Sequence, residues 1–152
     1  MVSADVRVDL GPLEELASGK ALRRALKIGI NRAARPVKAA VKSEASSIQR
    51  YGYLAKSIRI KAIVYESGNA VAVIGPTRKY QGRKGKFTRG PRKGESRVFI
   101  PANYAHLVEK GTAHARPHPF LKPALNSTLT QYLEAVKDEI RKEVERVSSR
   151  KA

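Results

Sequence analysis

Three histidines are the first residues in this 152-residue chain that could do chemistry. His114 and His118 are four apart, the spacing that puts two imidazoles on one helix face for metal ligation, and His106 lies upstream. Pro117 falls between the pair, and no carboxylate follows at a ligand spacing, so capping, packing or interface roles are expected of all three. The chain has no cysteine, which excludes disulfides, thiolate zinc sites and cysteine nucleophiles. Its serines lack the G-x-S-x-G elbow. Glu66 and Glu109 stand apart from other acids and read as solvated side chains rather than an acid–base pair. The glycines after Gly75 have neither the G-x-x-x-x-G-K-[ST] spacing nor the strand-to-helix setting of a phosphate cradle. These exclusions predict a protein that is not an enzyme and needs no cofactor.

What remains is charge. Lys+Arg 31 against Asp+Glu 13 leaves +18, which attracts polyanions without specifying a fold. The excess is concentrated: nine cations and Glu44 lie between Lys20 and Arg50, and nine cations and Glu95 between Arg78 and Arg97. Two such segments predict directed electropositive faces rather than an evenly basic surface. The second interleaves Tyr80 and Phe87 with Arg78, Lys79, Arg83, Lys84, Lys86, Arg89, Arg92 and Lys93. Cations neutralise phosphates and an aromatic ring can stack on a base or sugar, so these eight are the candidate contacts to DNA or to another subunit. Three readings stay open for this arm: a solubilising loop, a segment ordered against a protein neighbour, or a backbone contact to nucleic acid without base readout.

The elements that position these residues follow from periodicity. Val6, Val8 and Leu10 alternate with Asp5, Arg7 and Asp9, a strand with one buried face. Gly11-Pro12 breaks it, and a short helix through Leu13 and Leu16 follows. Ser18 is positioned to cap a helix over roughly 19–49, with Leu22, Ala25, Leu26, Gly29, Ile30, Ala33, Val37, Ala40, Val41 and Ile48 on one face and Arg23, Lys27, Lys38 and Lys42 opposite. Pro36 removes a backbone bond and predicts a kink or break near residues 33–35. Residues 57–75 read as a β-hairpin about Glu66-Ser67-Gly68-Asn69. A flexible basic arm covers about 76–97, and residues 98–101 return to the sheet as a third strand. Asn103 is expected to cap a helix over residues 104–110 that Gly111 stops. The last helix, about 119–147, carries Phe120, Leu121, Leu125, Leu129, Leu133, Val136, Ile140, Val144 and Val147 in a stripe.

The whole is an α+β domain spanning 1–152, a small antiparallel sheet with a long kinked N-terminal helix and a long C-terminal helix packed on one face, plus the extended basic arm. No stretch is apolar for long enough to span a membrane, and MVSADVRVDL has acids where a signal peptide has cations, so a soluble, unexported protein is expected.

The segment Tyr104-Ala105-His106-Leu107-Val108-Glu109-Lys110-Gly111-Thr112, followed by Ala115-Arg116-Pro117-His118-Pro119-Phe120-Leu121-Lys122-Pro123-Ala124-Leu125, resembles the hallmark of the tail-component or tail-completion proteins of siphophages. It is similar to that family's "YA-x-x-VE-x-GT, then ARPFL-x-PAL", with His118-Pro119 inserted. Tyr53-Leu54-Ala55-Lys56-Ser57-Ile58 is similar to its "G-x-L-x-x-SI" entry into the hairpin. Within the motif, Tyr104, Glu109, Gly111, Thr112, Arg116, Pro117, Phe120, Leu121 and Pro123 are expected to be structural, with Gly111 leaving the helix at positive φ and Phe120 and Leu121 anchoring the last helix. The resemblance implies a virion structural protein of the neck or upper tail, present in host cytoplasm during assembly. It implies a head-tail joining ring, hexameric by analogy with tail symmetry, with the tail terminator or head-closure protein as neighbours and packaged DNA inside. Charge alone suggests instead a free, sequence-nonspecific nucleic-acid-binding protein.

Overall fold

The computed structural model describes residues 7–8, 20–48, 52–67, 69–82 and 84–149. The short helix through Leu13 and Leu16, the Ser18 cap, the ends of the first strand and Arg83 lie outside them. Strand β1 (Arg7–Val8) is followed by helices α1 (Lys20–Ala33) and α2 (Arg35–Ile48), the short α3 (Tyr53–Ser57), and strands β2 (Ile58–Val64) and β3 (Ala70–Pro76). A basic ribbon of β4 (Lys84–Lys86) and β5 (Ser96–Val98) leads through a 3-10 turn, Pro101–Asn103, to α4 (Ala105–Lys110) and α5 (Leu121–Ser148). The order in the main antiparallel sheet is β1-β3-β2, and β4 and β5 form a separate two-stranded sheet. This is an α+β fold with a kinked N-terminal helix and a long C-terminal one.

The kink falls at Ala34, two residues before Pro36, whose ring cannot fit inside a continuous helix and whose missing N–H ends the ladder. Ala25, Leu26, Ile30 and Ala33 of α1 and Val37, Val41 and Ala45 of α2 are buried on one face, as their three-four spacing requires. They meet Ile58, Ala62, Ala72 and Ile74 of the sheet and Tyr132, Val136 and Ile140 of α5 in one core. Small residues let these layers approach closely. A Cβ on Gly29 would lie 3.3 Å from the Glu139 backbone, so α1 and α5 pack nearly main chain to main chain there.

Four sequence expectations are corrected. Val98 does not return to the main sheet; it pairs with Lys84 in the ribbon. Asn103 does not cap α4 with its side chain; Pro101–Asn103 form a 3-10 turn that runs into it. Tyr53–Ser57, read only as the start of the hairpin, forms α3 and buries Leu54. In α5, Leu129 and Leu133 are exposed and Tyr132 is buried instead. A run at strict four-residue spacing drifts about 40° per step around a helix of 3.6 residues per turn, so it leaves the core within two steps.

Candidate functional site

The ribbon holds most of the candidate contacts. Its ladder pairs Lys84 with Val98, Gly85 with Arg97 and Lys86 with Ser96, and Phe87 N–H continues it to Glu95 O at 3.1 Å. The turn beyond needs positive φ at Gly90 (82°) and Gly94 (88°), which glycine adopts without Cβ strain. At its base Gly82 N–H donates to Phe99 O at 2.8 Å, and a Cβ on Gly82 would collide with that oxygen.

No described residue between 81 and 100 is buried, so hydrophobic packing does not explain this order. Cations on rings contribute instead. Arg92 lies 4.7 Å and Arg97 5.2 Å from the Phe87 ring centre, and Arg97 lies 3.9 Å from that of Phe99. Arg92 also pairs with Glu95 at 2.6 Å. Phe87 therefore faces its own ribbon's arginines rather than standing free to stack on a base. Lys84, Lys86, Arg89 and Lys93 are exposed and have no acidic partner among the described residues, and Arg78 and Lys79 are exposed at the approach to the ribbon.

The 104–125 motif forms a joint between α4 and α5. The Glu109 carboxylate accepts hydrogen bonds from the backbone N–H groups of Phe120 (2.8 Å), Leu121 (3.1 Å) and Lys122 (3.2 Å). It satisfies the otherwise unpaired donors of α5 and places negative charge at the positive end of the helix. Pro123 needs no such partner, having no N–H. Gly111 turns the chain at φ 76°, and a Cβ there would sit 2.8 Å from Pro117 N. Thr112 and Ala115 form a β-bridge, and His118 N–H donates to Val108 O at 2.8 Å. Phe120 and Leu121 are buried, whereas Arg116, Pro117 and all three histidines are exposed. Tyr104 accepts at its carbonyl from Leu107 and Val108 as α4 begins. Glu109, read as a solvated acid from its isolation among other acids and as structural from the motif, is a helix cap; no periodicity reveals that role, because a spacing of eleven residues from Phe120 has no periodic meaning.

Two further groups went unrecognised in the sequence. Glu143, 4% exposed on the inner side of α5, pairs with Arg32 of α1 and with Arg146 at 3.3 Å, while Glu139 lies 3.7 Å from Arg32. This cluster holds α1 to α5. The other is a groove of about 520 Å³ in which Arg23, Arg24 and Lys27 of α1 face residues 61–64 of β2. On α2, Lys38 has its pKa lowered by partial burial and by the charges of Lys42, Arg59 and Arg35. The first basic segment is therefore divided: Arg32 is neutralised against α5, and its other described cations lie outside that cluster.

Among the described residues no cluster of three or more His, Asp or Glu is arranged to hold a metal, and no helix is long and apolar enough to cross a membrane. No curated protein and no solved structure gives a significant match to the chain. A family profile does: the one described as bacteriophage HK97-gp10-like tail component matches residues 12–111. That span runs through α1, the hairpin, the ribbon and α4 to the glycine that stops it, about two thirds of the sequence. With the motif geometry and this span in agreement, the chain belongs to the HK97-gp10-like family of bacteriophage tail components.

Proposed function

We propose that the protein is a non-enzymatic ring subunit of the phage neck or upper tail, joining head and tail around the DNA channel, with the basic ribbon as its contact to DNA or to the next subunit. The observation that carries this reading is the ribbon with its approach: a stretch whose sequence holds nine cations between Arg78 and Arg97 and a single acid, with Arg78, Lys79, Lys84, Lys86, Arg89, Arg92 and Lys93 exposed, in a family of tail components. Copies in a ring would repeat that charge around a duplex. The resulting field holds DNA through counterion release, independent of base sequence. A hexamer matches tail symmetry, and the tail terminator or head-closure protein would be the axial neighbours. On this reading residues 1–152 act as one domain, assembled into the virion from the host cytoplasm.

The test is a phage in which Lys84, Lys86, Arg89 and Lys93 are changed to serine. Expected are particles that contain the protein but join heads to tails or retain DNA poorly. Absence of the wild-type protein from purified virions, or unimpaired infectivity of a gene deletion, would overturn the assignment. The free DNA-binding alternative predicts a salt-dependent shift of duplex DNA by the isolated monomer, lost with the ribbon.

A further inference from the structure

The outer edge of β2 presents a different kind of surface from the ribbon. Thr77 N–H donates to Ser57 O and Tyr65 N–H to Asn69 O, and these two bonds bracket the β2–β3 register. Hydrogen-bonding direction alternates along an antiparallel pair, so residues 57, 59, 61, 63 and 65 point their N–H and C=O groups at β3. Ile58, Ile60, Ala62 and Val64 point theirs outward. No described strand borders that edge. Arg59 closes one end by donating to Ile58 O at 2.9 Å and to Lys56 O at 2.8 Å. Ile60, Ala62 and Val64 have no such partner among the described residues, and Ala62 is only 6% exposed. Ile60 and Val64 are half-exposed, so the cost of an unpartnered, shielded backbone group falls on Ala62, and a neighbouring strand satisfies all three.

We propose that this edge is a docking site for an extended acidic segment of another protein, added to the sheet as a fourth strand. Charge decides the chemistry of the occupant: Arg23, Arg24 and Lys27 form one wall of the groove and Lys61 lies on the other, with Glu66, 3.8 Å from Arg23, as their one acidic partner among the described residues. Duplex DNA does not fit the same requirement. Phosphates accept hydrogen bonds but offer no donors to the edge carbonyls, whereas a polypeptide strand returns both. A second copy supplies no suitable described segment, because its acid-rich stretch from Glu134 to Glu145 is locked in α5. Neither the neck position nor the ribbon enters this inference.

The probe is a fluorescein-labelled (Glu-Val)4 peptide titrated with the full chain at low ionic strength and followed by polarisation. Saturable binding is expected, weakened at least about tenfold when alternate peptide nitrogens are methylated, since two or three backbone hydrogen bonds are lost. The paired change Lys27→Glu and Lys61→Glu should abolish binding of (Glu-Val)4 and create binding of (Lys-Val)4. That gain keeps the result readable apart from folding. Lys84→Ala with Lys86→Ala should change nothing. The proposal is overturned by no binding, by equal binding of the methylated peptide, or by displacement with duplex DNA at equal charge. It is also overturned if sedimentation shows the edge occupied by a second copy that the peptide cannot displace.

Discussion

The two basic segments carry the same charge in the sequence, nine cations and one acid each, yet the fold treats them differently. The first rides on helices whose opposite faces build the core, and one of its members, Arg32, is tied to a nearly buried carboxylate. The second rides on a ribbon with no buried described residue, ordered by its own ladder, its glycine turn and its arginine–phenylalanine contacts. Equal charge density therefore does not mean equal structural standing. At Arg32 a charge change is read by the fold, whereas in the ribbon it is read mainly by whatever the ribbon touches.

Substitutions in pairs test this difference. The largest effect is expected from Arg32→Ala, which leaves Glu143 in the interior with Arg146 alone and should cost about 3 kcal/mol of unfolding free energy in urea. Glu143→Ala should cost less, because the half-exposed Arg32 can turn to water. Next come the acids that bond backbone or cations: Glu109→Ala should cost about 1 to 2 kcal/mol by uncapping α5, while Glu95→Ala in the ribbon should stay within about 0.5 kcal/mol. If the two acids proved equal, the ribbon would be part of the cooperative fold. Phe87→Ala should leave global stability unchanged but speed amide exchange across residues 84–98, for a local loss of about 1 kcal/mol. Smallest is Lys38→Met, a slight gain in thermal stability at neutral pH. The lowered folded pKa of Lys38 means that its proton is held less well in the native than in the unfolded chain. Stability should therefore rise as pH climbs from the folded toward the unfolded lysine value, and the variant should lose that rise.

Reading by periodicity succeeded where burial and period coincide. Ala25, Leu26, Ile30, Val37 and Val41 declared one helix face, Pro36 declared the kink, and Ile58 to Ile74 declared a hairpin. It failed where order comes from contacts with no period. Phe87, Arg92 and Arg97 stand five residues apart and meet only because a turn brings them together. The stripe in α5 misled at Leu129 and Leu133 because tertiary packing selected Tyr132 from the adjacent row. Of the candidate site, the cations were legible as composition, and residues 104–111 of the family signature lie within the span the family profile matches. The role of Glu109 was not legible, because a cap depends on where two helices end in space.

What the sequence determined by itself is the membership of the chain in a tail-component family, its main helices and hairpin, and the positions of its two basic segments. Those are properties of residue type and spacing, and they survive without knowledge of any long-range contact. Tertiary structure decided which cations are neutralised, which edge of the main sheet no described strand borders and which acids hold helices in place. Each of these depends on residues far apart in the chain, such as Arg32 and Glu143, being brought within a few ångströms by packing, and no local pattern encodes that approach.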